Sequence, residues 1–227
     1  MKPGFAEVKG EVYMTIIFSI ILGYIIGCIN PSYILALARG FDIREVGSGN
    51  AGASNAIITM GKKIGAISAF FDIFKAFFAV KLSVYLFPAL NIAGIISGTS
   101  CIIGHIFPVF MKFRGGKGLA CLGGLVLAYS VPLFFILLVA EVIIGFSLDY
   151  ICVVPITGSI AFPVIYYIIE RNIAGVMVLL VATAVMLYKH IENIKRIKNG
   201  TEARLSFLWK GDEEIARIQR NANVNKH

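Results

Sequence analysis

Charged side chains are scarce in this 227-residue chain, at 15% of residues against about a quarter in an ordinary soluble domain. Together with a hydrophobic share of 58%, that shortfall excludes a water-soluble globular domain and points to one integral-membrane bundle. Acidic residues are the scarcer sign, 13 against 21 Lys and Arg, for a formal charge of +8. In a membrane protein such an excess marks cytoplasmic loops near anionic lipid, and nucleic acid is not called for as a partner. Cysteine occurs four times, as Cys28, Cys101, Cys121 and Cys152. Each lies in or beside an apolar run without C-x-x-C spacing, which speaks against a disulfide framework or a zinc site. His105, His190 and His227 form no H-E-x-x-H pattern, and no metal is inferred. Internal repeats and low-complexity segments are also missing.

Long apolar runs are what the chain has in quantity. A spanning helix needs about 20 mostly apolar residues. Residues 12–38 supply one span, kinked at Asn30-Pro31, and 64–87 a second that carries Asp72, Lys75 and Lys81. Residues 90–110 supply a third. The run 119–148 is too long for one span, and Pro132 divides it into two short helices. With 151–169 and 173–188 the expectation is an all-α integral membrane bundle of about seven transmembrane helices with cytoplasmic glycine-rich loops. It comprises a membrane domain over 1–206 and a basic cytoplasmic tail over 207–227.

Basic residues orient that bundle. One side takes Arg39, Arg44, Lys62 and Lys63, then Lys112, Arg114 and Lys117, then the basic tail from Lys189. The other side holds only Lys2, Lys9 and Arg171. The positive-inside rule puts the first set in the cytoplasm of a cell-membrane protein. Ala36-Leu37-Ala38 resembles a signal cleavage site, but the apolar run ahead of it is too long. Cleavage there would also turn the basic loops outward.

Three polar stretches then share the cytoplasmic face. In "GSGNAGASN", Gly47, Gly49 and Gly52 let the backbone approach a ligand closely, while Ser48, Asn50, Ser54 and Asn55 offer hydrogen bonds. In "GHIFPVFMKFRGGKG", Arg114 and Lys117 lie among Gly115, Gly116 and Gly118, the pattern of an anion cradle. In "KHIENIKRIKNGTE", His190, Asn193 and Arg196 recur every three residues along one helix face. Each stretch alone reads equally as a turn, a lipid anchor or a solvated face. Three on one side make a site for an anionic phosphate. Within the spans, Asp72 and Lys75 are spaced to neutralise each other, whereas Glu141 has no sequence-local basic partner.

The order of these three motifs resembles the bacterial acyl-phosphate:glycerol-3-phosphate acyltransferases, integral-membrane enzymes of phospholipid synthesis. The resemblance runs from about residue 24 to 202. It implies a seven-helix fold and transfer of an acyl group from acyl phosphate to the 1-hydroxyl of glycerol 3-phosphate. Lysophosphatidic acid and phosphate are the products, with no metal or coenzyme. It further implies substrate contacts for Gly47, Ser48, Gly49, Asn50, Gly52, Ser54 and Asn55. Lys117 is implied at a phosphate, amid Arg114, Gly115, Gly116 and Gly118, with His190, Asn193 and Arg196 in the catalytic set and Glu202 as more distant support. The chain departs from the family at Ser54, usually Thr; at Ile58, usually Arg; and at Cys28, often Ser. The segment "LDYICVVP" lacks the expected basic and serine-rich character.

The His-x4-Asp pair of soluble acyltransferases is missing, since the required positions hold Phe110 and Lys195. Direct transfer without an acyl-enzyme is therefore expected. Lys117 and backbone donors stabilise charge, Ser48, Asn193 and Arg196 orient the acceptor, and His190 acts as base or as a structural hydrogen-bond partner. Membrane lipid accommodates the acyl tail. A phosphometabolite transporter would place polar groups along several spans and show repeats. A relative acting on another phosphorylated acceptor is separated only by assay.

Overall fold

The first apolar run is two helices, α1 (Phe5–Cys28) and α2 (Pro31–Leu37), in the computed structural model, which describes residues 5–208 and 210–224. Asn30 makes the break. Its Oδ1 accepts from Tyr33 N at 2.8 Å as the N-cap of α2, with proline next in the chain. Its Nδ2 donates to Ala51 O at 2.8 Å, which pins the break to the first polar loop. That loop contains a short helix that apolar periodicity does not signal, α3 (Ala53–Met60), parted from α4 (Lys62–Leu86) by Gly61 at φ 90°.

The remaining helices are α5 (Ala93–Ile106), α6 (Leu119–Tyr129), α7 (Val131–Leu148), α8 (Val153–Glu170), α9 (Ile173–Lys198) and α10 (Gly211–Val224). The run 119–148 divides where expected. Ser130 ends α6 and caps α7 by accepting from Leu133 N, with Pro132 in the first turn. Asn172 caps α9 through Gly175 N at 3.1 Å. No strand occurs among the described residues. Lys2 and His227 lie outside them.

Helix α5 is the centre of the bundle, buried along its length except at Ile103 and in contact with α1, α4, α6 and α9. Small residues permit this. A Cβ on Gly23 or Gly27 of α1 would collide with the backbone of Ser97 or Cys101 on α5. Such close backbone approach is how helices associate in lipid, where apolar burial drives little. The exterior is apolar: Phe135, Ile136, Val139, Ile143 and Phe146 of α7 all face outward.

Five described stretches are long and apolar enough to cross a membrane: Gly10–Leu37, Ala93–Met111, Val131–Leu148, Val153–Glu170 and Ile173–Lys198. This is a multi-pass membrane bundle. By length and composition it supports five of the expected seven spans. Helix α4 has 25 residues but keeps Asp72, Lys75 and Lys81, and α6 has only 11.

Candidate functional site

The second motif is built on the end of α5. After Pro108 a single turn, Val109–Met111, reverses the chain, and Lys112 and Phe113 follow with positive φ. Gly115 N then donates to Ile106 O at 3.1 Å and Gly116 N to His105 O at 3.0 Å. These two N–H groups close the open end of α5, so neither is available to cradle a phosphate. The pair is glycine for another reason: a Cβ on Gly115 would strike His105 O, and one on Gly116 would strike the His105 imidazole. Of the cradle expected from sequence there remain Lys117, the exposed Arg114, and the first-turn N–H groups of α6, which begins after Gly118.

His105 is held from behind. Its Nδ1 lies 3.2 Å from Asp72 Oδ1 and 3.0 Å from Lys75 Nζ, and the Asp72–Lys75 pair itself closes to 2.7 Å. Lys75 also donates to Ile29 O, a carbonyl freed by the α1–α2 break. The pairing of Asp72 with Lys75 is thus observed, with His105 as its third member. Asp72, His105 and Cys121 present ligand-type atoms within 4.8 Å of one another, but the Lys75 ammonium already supplies the cation there. Glu141 accepts from Thr157 Oγ1 of α8 at 2.6 Å.

The third motif is not a separate helix. Helix α9 continues ten residues beyond the expected end of its span, to Lys198. This carries His190, Asn193 and Arg196 out on one face, the first two buried and the third partly exposed. Gly200, at φ 68°, then turns the chain so that Thr201 N and Glu202 N both donate to Arg196 O. Glu202 folds back onto α9. Its Oε1 accepts from Asn193 Nδ2 at 2.6 Å and its Oε2 from Arg196 Nε at 2.6 Å. Asn193 Oδ1 in turn accepts from Lys117 Nζ. The second and third motifs therefore meet in one chain of polar groups: Lys117, Asn193, Glu202, Arg196.

Chemistry fixes the orientations in that chain. A carboxylate accepts and an ammonium donates, so the Asn193 amide must turn Nδ2 to Glu202 and Oδ1 to Lys117. One of the three Lys117 donors is used, and the described residues offer it no other hydrogen-bond partner. Burial first, then the Arg196 charge, hold the Lys117 ammonium below the usual lysine range. His190 Nδ1 lies 2.7 Å from Met186 O. A carbonyl only accepts, so the proton sits on Nδ1 and Nε2 of the neutral ring is an acceptor.

The first motif joins the others differently. Gly47 and Gly49 take positive φ, and Gly52 caps α3. Asn55 is spent on the loop itself: Oδ1 accepts from Ser48 N at 2.8 Å, while Nδ2 donates to Ile43 O and Val46 O. Ser48 and Ser54 are exposed, Asn50 is half-buried, and Ile58 is exposed one turn beyond Ser54. Arg44 ties this loop to the second motif, donating to Met111 O at 2.6 Å while paired with Asp42 and lying over the Tyr33 ring. Ile43, Ala51, Ala56 and Met111 close the junction with an apolar core. Among the described residues, no hydrogen bond joins Ser48, Asn50 or Ser54 to Lys117 or Arg196.

Two contributors carry no motif signal. Arg44 reads in sequence as one more basic loop residue, although the nearby Asp42 hints at the pair. Cys152, the residue before α8, is buried beside the polar chain, where burial first and then the nearby Glu202 carboxylate push its thiol up. Its apolar flanks mask it.

Comparisons with known proteins converge. The model of the glycerol-3-phosphate acyltransferase family matches residues 17–200. A curated glycerol-3-phosphate acyltransferase of Bacillus velezensis is 38% identical over 196 residues, 86% of this chain and 100% of the relative. One of Thermoanaerobacter pseudethanolicus is 37% identical over 193 residues, 85% of this chain and 96% of the relative. Among solved structures, the glycerol 3-phosphate form of PlsY, an integral membrane glycerol 3-phosphate acyltransferase, superposes with TM-score 0.78 at 31% identity. It covers 85% of this chain and 96% of that one. The lysophosphatidic acid form of the same enzyme gives TM-score 0.75.

Proposed function

The chain belongs to the glycerol-3-phosphate acyltransferase family, and on that premise we propose that it transfers an acyl group from acyl phosphate to the 1-hydroxyl of glycerol 3-phosphate. The observation that carries this reading is the chain Lys117–Asn193–Glu202–Arg196, which unites two separated motifs around a half-buried cation with donors to spare. In the reaction, the hydroxyl oxygen attacks the acyl carbonyl carbon and the bond from that carbon to the phosphate oxygen breaks. Lysophosphatidic acid and inorganic phosphate result.

Phosphate leaves readily, so the protein's work is to orient reactants and neutralise charge. Lys117, aimed by Asn193, would hold an anionic oxygen of substrate. Arg196 keeps a partly exposed guanidinium beside it. His190 Nε2 is an acceptor suited to the hydroxyl proton, which otherwise passes to the departing phosphate. Exposed Ser48 and Ser54 would meet the polar acceptor from the first loop. The outward apolar surface suits an acyl tail in lipid.

The basic loops support a cytoplasmic site. Seven spans follow if α4 and α6 are also embedded. Burial of Asp72 and Lys75 inside the bundle supports this for α4, as does its outward row of Phe70, Phe71, Phe74 and Phe78. The test is donor choice in purified protein: acyl phosphate should yield lysophosphatidic acid from glycerol 3-phosphate without added metal or coenzyme. Equal rates with acyl-CoA, or strict dependence on a divalent ion, would overturn the reading.

A further inference from the structure

The hydrogen-bond chain continues beyond Glu202 into a helix that the family match does not reach, since the match ends at residue 200 and α10 spans Gly211–Val224. We propose that α10 is a positioning element of the transfer site, with Arg217 acting through Glu202 on Lys117; this rests on the function proposed above.

Arg217 lies between α10 and the turn after α9. Its Nη1 donates to Gly200 O at 2.5 Å and its Nη2 to Glu202 O at 2.6 Å. Glu214, one turn earlier, holds the guanidinium and also accepts from Arg204 N at 3.0 Å. Both side chains are largely buried. Asn221 adds a second bond to Gly200 O at 2.8 Å. One helix thus grips the backbone of 200–204 at three points. The next residues are tied to the membrane helices: Asp149, the C-cap of α7, accepts from Leu205 N, Ser206 N and Ser206 Oγ. That aspartate stands in the segment where the sequence lacks the family's basic character.

The consequence reaches the site through geometry. Glu202 N bonds Arg196 O and Glu202 O bonds Arg217, so the residue is fixed on both sides and only its side-chain torsions remain to aim the carboxylate. That carboxylate is what orients the Asn193 amide. Without it the amide can present Nδ2 to Lys117, setting donor against donor, and the ammonium loses its aim. Arg217 touches no reacting group. It works two residues removed from Lys117.

The test uses the full chain in detergent as wild type, Arg217→Ala, Arg217→Lys, Glu202→Ala and the Arg217→Ala/Glu202→Ala and Arg217→Lys/Glu202→Ala doubles. The readouts are kcat, KM, melting temperature and, independently of turnover, calorimetric Kd for glycerol 3-phosphate. Arg217→Ala should raise KM and Kd roughly tenfold, the scale of one charge-assisted hydrogen bond. Arg217→Lys should recover part of that. In the Glu202→Ala background, which leaves Asn193 no acceptor, the same Ala change should add less than about twofold, because the path is already cut. Unchanged Kd, or equal losses in both backgrounds tracking melting temperature, would reduce α10 to a stability element and overturn the proposal. If Arg217→Ala does not fold, Arg217→Lys carries the same comparison. A wild type that binds glycerol 3-phosphate but transfers no acyl group would sink the activity alone, with the Kd shift still deciding the clamp. A wild type that does not bind it would sink both.

Discussion

Replacing Gly116 by alanine separates two uses of the same glycines. If the GGKG stretch serves as a phosphate cradle, an added methyl should mainly weaken substrate binding. In the structure, the methyl would overlap the His105 imidazole, which is buried and confined by Asp72 and Lys75. The ring cannot yield without breaking its 3.0 and 3.2 Å contacts to that pair. Overpacking a tight interior costs about 1–3 kcal/mol, and breaking a buried ion network about 3–5 kcal/mol. The larger figure applies if His105 is expelled, and the smaller if the 105–116 turn moves instead. For a chain of this length the smaller cost corresponds to a melting-temperature loss of about 2–12 °C and the larger to about 6–20 °C. Thermal unfolding of purified Gly116→Ala in detergent, beside glycerol 3-phosphate KM on the folded fraction, measures both effects. A wild-type melting temperature with raised KM would refute the packing argument and restore the cradle.

Other outcomes follow from the same contacts. Glu202→Ala removes both acceptors of the Asn193–Arg196 pair and should lower kcat/KM by about 10- to 100-fold, whereas Glu202→Gln, which keeps one carbonyl oxygen for Asn193, should lose less; steady-state kinetics on both ranks them. Ile58→Arg should lower the acceptor KM, by up to about tenfold, because position 58 is exposed one turn from Ser54 and an arginine fits there without a steric cost; an unchanged KM would separate that position from the acceptor. The Lys117 cation is present at low pH and, its pKa being lowered, is lost on the way up sooner than an ordinary lysine's, so the pH–rate profile should fall on its alkaline side; Arg196→Ala removes a like charge and should move that fall to higher pH.

Apolar runs and turn residues made much of the fold legible. Asn30-Pro31 and Ser130 with Pro132 mark the two breaks because capping and proline chemistry act locally. The spacing of His190, Asn193 and Arg196 read as a helix face, but its continuity with the last span was hidden because hydropathy stops near Tyr188 while one helix runs through to Lys198. Helix α3 was hidden in a segment whose glycines read as loop. At the site, residue types and spacing were legible, and His190, Asn193 and Arg196 share one helix face, buried at the first two and exposed at Arg196. Their partners were not, since Lys117 meets Asn193 and Asp149 meets Ser206 only through tertiary packing. Glycine was the ambiguous letter. Close packing and anion binding both select it, and only the position of His105 distinguishes them at Gly115 and Gly116.

The role of Lys117 in transfer rests on kcat/KM for acyl phosphate and glycerol 3-phosphate in wild type and Lys117→Ala. Lysophosphatidic acid is quantified by mass spectrometry, and folding is confirmed by melting temperature. Wild type should give product and the variant should lose about 100-fold or more, since one charge-stabilising donor in an active site commonly has that effect. A well-folded Lys117→Ala protein within threefold of wild type would contradict that role.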